Sequence, residues 1–199
     1  MNGTVELSNA NSTSYSLAGW LAIISAVLLI PEIGLAVLVG YASPDLQVLV
    51  NPLHAINLLV GIYILYRFRT MLNDRFAFHK ADTAIMVLIW THVVFVVLGL
   101  VDLSAGAIGL TDQFVSALSV ATLVLFVPFC LITIALGVTV LKLQDDLFGL
   151  LRPYAYTTMA SGALGATIIL SPLGLLAAVV ALVMLGMIFL RAQRESEIL

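Results

Sequence analysis

The sequence predicts an all-α membrane protein, a bundle of six transmembrane helices with both termini in the cytoplasm. Three observations lead there. Hydrophobic residues make up 62% of the 199 positions and charged residues 10%, whereas a soluble domain carries roughly a quarter charged residues. So much apolar surface has lipid as its solvent. The apolar residues also fall into blocks near the ~20 residues that a helix needs to cross hydrocarbon. Finally, all eight basic residues (Arg67, Arg69, Arg75, Lys80, Lys142, Arg152, Arg191 and Arg194) follow even-numbered blocks. Lys and Arg beside membrane spans stay on the cytoplasmic side, so the chain crosses an even number of times.

Residues 1–14 read as a disordered cytoplasmic tail, rich in Asn, Ser and Thr. They contain no Lys or Arg, so no cleavable signal peptide is expected. The two glycosylation sequons beginning at Asn2 and Asn11 are read as chance matches on the cytoplasmic side. The membrane domain is expected over 15–191 and a second cytoplasmic tail over 192–199. The first span, 17–41, has Tyr15 and Trp20 near one end and Tyr41 at the other, suited to the interfacial layers. Ser43-Pro44-Asp45 makes an outer turn. The second span, 46–66, runs into Arg67 and Arg69. The third, 83–103, starts after Asp82, a plausible helix N-cap. The fourth, 114–141, ends at Lys142 and is long enough to tilt.

The last apolar block, between Arg152 and Arg191, is too long for one crossing, because 37 residues would reach about 55 Å at helical rise. Two spans, 154–170 and 174–190, keep both arginines inside. The turn is expected at Ser171-Pro172-Leu173-Gly174, since proline opposes helix continuation and glycine permits tight reversal. The hairpin's Ala160, Ser161, Gly162, Ala163, Gly165 and Ala166 are expected to face Ala177, Ala178 and Ala181. Small residues let helices approach closely in lipid. Between the second and third spans, Met71, Leu72, Phe76 and Phe78 alternate with Arg69, Asn73, Asp74, Arg75 and Lys80. This segment reads as a loop or helix lying in the headgroup layer, tethered to anionic lipid.

Ionisable groups inside hydrocarbon are costly and usually mark function. Glu32, after Pro31, sits roughly 22 Å in from the cytoplasmic end of the first span, counted at helical rise. His54 lies about 12 Å below the outer end of the second, with Asn57 one turn deeper. His92 lies near mid-depth in the third. Glu32, His54, Asn57 and His92 are therefore the candidate ligand or proton site, with Glu32 carrying a proton or cation and His54 as its partner or relay. The structural alternative is that each polar group only bonds a neighbouring helix or carbonyl. Pro31 and Pro128 are expected helix breaks, each removing a backbone donor. Their places in the first and fourth spans suit an inverted repeat of two three-span halves, though the halves share no residue-level similarity.

Two intramembrane histidines also raise bis-histidine haem ligation by His54 and His92. Glu32, His54 and His92 together match borderline metals by ligand type. No cofactor is expected, and the identity of any metal is left open. Cys130, the single cysteine, reads as a small buried hydrophobe. Nucleotide-binding, nucleophile-elbow and zinc-protease motifs are absent, so no enzyme class is assigned, and no basic run suggests nucleic acid. The stretches 16–22, 67–69 and 78–83 resemble small bacterial inner-membrane proteins that carry no assigned activity. That resemblance covers the first half of the chain. It implies a multi-pass inner-membrane location and carries over no functional residue. The expected function is a small proton- or cation-coupled transporter or permeation protein; the alternative is a non-transporting accessory or scaffolding subunit. Expected partners are the bilayer, and a second copy or another membrane protein.

Overall fold

Six α-helices carry the chain: α1 (Gly3–Tyr41), α2 (Gln47–Phe76), α3 (Asp82–Ala105), α4 (Asp112–Val140), α5 (Leu151–Ala166) and α6 (Ser171–Ile198). The computed structural model describes residues 3–41, 47–105, 111–167 and 169–198. The side chains at 3–14, 36–41, 47–51, 105, 112, 196 and 198 lie outside that description. The expected outer turn at Ser43-Pro44-Asp45 also falls outside it. Among the described residues there is no strand. Five helices are long and apolar enough to cross a membrane. The exception is α5, whose 16 residues reach about 24 Å at helical rise.

The helices form a ring. Each packs against its neighbours in sequence, and α6 returns to pack along α1. This closure depends on small residues. A Cβ on Gly186 would lie 2.8 Å from the Gly19 carbonyl oxygen, so the two backbones touch where any side chain would hold them apart. In lipid, such contact is what dispersion rewards.

The ring is filled at the end that carries the basic residues. Phe68 on α2 is fully buried. Its ring meets Tyr154 of α5 at 5.4 Å and Phe189 of α6 at 6.4 Å, edge to face in both cases. It thus spans the interior to helices that α2 does not neighbour. Met71, Leu72, Ile85, Leu136, Val140, Leu147 and Ile188 complete this plug, all nearly inaccessible. Around it, Tyr15 stacks on Phe189 at 6.3 Å, with the Arg67 and Arg75 guanidiniums 5.0 and 5.7 Å from its ring centre. Arg191 Nη1 donates to the Phe148 carbonyl at 2.6 Å. These contacts gather the basic ends of α2 and α6 with the linker between α4 and α5.

Three expectations change. Residues 67–76 form neither a loop nor a separate helix: α2 continues through them to Phe76. No Pro or Gly interrupts the stretch, and Phe68, Met71 and Leu72 gain more by burial against protein than in the headgroup layer. The reversal comes at Ala77, with a left-handed φ of 48°, after which the Phe78 N–H donates back to the Leu72 carbonyl at 3.0 Å. Asp82 then starts α3, accepting from Arg69 Nε at 2.9 Å and Asn73 Nδ2 at 2.9 Å.

The second change is in the last hairpin. Helix α5 ends at Ala166, and Ser171-Pro172-Leu173-Gly174 form the first turn of α6. There the missing proline N–H breaks no bond and its fixed φ suits the helix start. Gly174 serves contact: a Cβ there would lie 2.7 Å from the Gly165 nitrogen. The third change concerns the small residues of α5, which divide between two neighbours. The backbone at Ser161 and Gly165 meets Gly174 of α6, while a Cβ on Gly162 or Gly165 would meet Cys130 of α4, 2.5 Å from its carbonyl oxygen and 3.0 Å from its Sγ respectively.

Candidate functional site

Beyond the aromatic plug, a cavity of about 330 Å³ is lined by residues of all six helices. Its floor is the upper face of the packed end, including Ile64, Leu88, Leu136, Tyr154 and Leu185. Most of its wall is apolar. Phe95 and Phe126 flank Phe129 at 5.7 and 6.1 Å between ring centres, and the His92 ring meets Phe129 edge-on at 5.4 Å. This aromatic wall belongs to α3 and α4. Helix α1 does not touch α4 and faces it across the cavity.

The polar part of the wall is on α1 and α2. Glu32 is 8% exposed. One carboxyl oxygen, Oε1, lies 2.5 Å from His54 Nδ1. The other, Oε2, accepts from Asn57 Nδ2 at 2.6 Å. Asn57 in turn accepts through Oδ1 from Ser25 Oγ at 3.0 Å. Helix geometry explains the set. Ser25 and Glu32 are seven residues apart on α1, and His54 and Asn57 three apart on α2, so each pair shares a face. Burying a carboxyl in an apolar wall is costly unless its oxygens are bonded, and here both are. Asn57 is buried with it, whereas the His54 side chain, which also lines the cavity, is 53% exposed. The chain Ser25–Asn57–Glu32–His54 therefore runs from buried side chains to an exposed imidazole.

Of the sequence-predicted residues, Glu32, His54 and Asn57 come together. His92 does not join them. Its Nδ1 pairs with the Leu88 carbonyl at 2.8 Å, and its Nε2 would lie 3.1 Å from a Cβ on Gly61. Gly61 is seven residues past His54 on α2, about 10 Å deeper at helical rise. With one nitrogen on its own helix and the other packed on α2, His92 leaves no gap for a porphyrin beside Nε2. No group of three His, Cys, Asp or Glu among the described residues is placed to hold a metal ion. Pro31 and Pro128 lie inside α1 and α4, which run through them as continuous helices. Each therefore withdraws one donor from the ladder without breaking the helix. Cys130 is buried against α5 near Gly165. Ser25 was not foreseen, although a hydroxyl two turns before an intramembrane carboxyl, on the same helix face, is a signal that periodicity provides.

No protein-family model, curated protein or solved structure matches this chain.

Proposed function

We propose that this multi-pass membrane protein is a small proton- or cation-coupled transporter or permeation protein, with Glu32 as its binding carboxylate. The observation that carries the reading is the placement of that carboxyl, buried in the wall of a cavity ringed by six helices and bonded to half-exposed His54. His54 relays protons to it, and Asn57 and Ser25 hold its orientation. Facing helices α1 and α4 each lack one backbone bond at a proline, which lowers the cost of bending there. The chain crosses a bacterial inner membrane six times, α5 included, with both ends in the cytoplasm. The charge sorting of the sequence supports this, as does the joining of the basic helix ends around one plug. Outward-facing Trp20, Trp90, Val97 and Val124, all more than half exposed, meet lipid or a second copy.

The expected topology has a direct check in intact cells. In a Cys130→Ser background, Lys80→Cys and Arg194→Cys should react with an impermeant maleimide only after permeabilisation, and Gly109→Cys before it. Reaction of Lys80→Cys and Arg194→Cys on opposite sides overturns six spans.

Glu32→Gln tests the function. Proteoliposomes with an imposed pH gradient and an internal pH dye are offered Na⁺, K⁺ and organic monovalent cations in turn. Wild type should give cation-dependent proton movement. The variant should fall to the protein-free background while its thermal midpoint moves by only a few degrees, the scale of about 1 kcal/mol. A silent wild type, or a fully active variant, overturns the reading.

A second reading is a non-transporting accessory subunit whose polar residues set helix register. The α1–α2 bonds of Glu32, His54, Asn57 and Ser25 favour it, since they bridge two helices as a register device does. It predicts that Glu32→Gln lowers stability in a protein whose wild type moves no ion.

A further inference from the structure

We propose that the ring cavity binds amphipathic quaternary ammonium ions that carry an aryl or branched alkyl body. This deepens the reading of Glu32 as the binding carboxylate and rests on it.

Charge selects a cation. Glu32 is the acidic residue among the described residues lining the cavity, and no Lys or Arg lines it with Glu32. An anion would find no Lys or Arg there, would find the half-exposed His54 already paired with Glu32, and would meet that carboxylate.

The wall then decides which cation. A bare Na⁺ or K⁺ must exchange its hydration shell for several oxygens. Here the two carboxyl oxygens are already bonded by His54 and Asn57, and the surrounding side chains are mostly Leu, Phe, Ala and Gly. A quaternary ammonium is weakly hydrated, carries no N–H donor and needs no directed ligand shell. It is held by a carboxylate on one side and aromatic faces on the other. The Phe95–Phe126–Phe129 wall lies on α3 and α4, with α1 and its carboxyl on the far side of the cavity. The apolar remainder of the wall receives the organic body, whose burial adds affinity in proportion to area. The volume, about 330 Å³, is at the lower end of small-molecule sites, which run roughly 300–1,000 Å³.

The test uses the full chain in lipid nanodiscs and tritiated benzyltrimethylammonium as the probe. Two competitors separate the contributions: neopentylbenzene, its neutral carbon isostere, and tetramethylammonium, which lacks the aryl body. The probe should bind saturably, and each competitor should displace it at least about tenfold less well, one decade being roughly 1.4 kcal/mol. Glu32→Gln should weaken the probe about tenfold or more. Phe129→Leu, which keeps apolar volume but removes the ring face, should weaken it roughly 2- to 30-fold. Folding of both variants is checked by size-exclusion profile.

Equal displacement by neopentylbenzene overturns the cation in favour of a plain apolar or lipid-tail site. Equal displacement by tetramethylammonium overturns the organic body and leaves the Glu32 function standing if coupled Na⁺ or K⁺ movement is seen. Unchanged binding in folded Glu32→Gln overturns this site and removes the carboxylate reading with it. Should Glu32→Gln fail to fold, an unchanged affinity in Phe129→Leu overturns the aromatic half of the site.

Discussion

Gly162→Leu is expected to abolish the native bundle. Gly162 sits where α5 crosses α4, and even a methyl carbon there would lie 2.5 Å from the Cys130 carbonyl oxygen and 2.8 Å from Ile134 Cγ1. The obstacle is backbone on one side and a branched side chain on the other, so rotamer adjustment cannot relieve it. Overpacking a tight core by a few carbons costs about 1–3 kcal/mol and occasionally more. Here the displaced element is the short α5, which also holds Tyr154 in the plug. The purified variant should elute as aggregate or lose its cooperative thermal transition, while Gly162→Ala should show a lowered midpoint. A Leu variant with the wild-type midpoint would mean that α4 and α5 do not touch at this point.

Phe68→Ala is expected to cost about 3–5 kcal/mol, the usual loss for a buried Phe reduced to Ala. The site is unfavourable for relaxation. Phe68 reaches Tyr154 and Phe189 from the opposite side of the ring, and its own backbone is fixed by α1 and α3, the neighbours of α2. The void would therefore persist. Thermal unfolding in a mild detergent, followed by loss of the monodisperse peak, reads the effect directly. Phe68→Leu fills most of the volume and should recover at least half of the loss. Equal midpoints for wild type and Phe68→Ala would show that the aromatic plug contributes nothing.

Much of this architecture was legible in the sequence because lipid imposes simple demands. Block length gave the helices, and the spacing of eight cations grouped their ends. Block length did not show where α2 stops, because residues 67–76 mix charge with Phe68, Met71 and Leu72 and only tertiary packing decides which set wins. Nor did it separate the two uses of a proline. Pro172 opens a helix, Pro31 and Pro128 sit within helices, and the residue type is the same. At the site, counting depth along the spans brought Glu32, His54 and Asn57 to one level correctly. The same count put His92 near them, but its ring packs on Gly61 of α2, two turns from His54 and about 10 Å deeper at helical rise. His92 does face the cavity; the level of α3 against α2 is set by packing contacts that counting residues from a block's edge does not show.

The pairing of α6 with α1 has a consequence for chain connectivity. Tyr15 rests on Phe189, and Gly19 on Gly186, so the first and last helices leave the structure side by side. The order of helices around the circle does not depend on where the polypeptide happens to be cut. A circular permutant that joins the old termini by a flexible tether and opens the chain at 106–110 should assemble the same circle, and it would turn the present first and last helices into an internal hairpin.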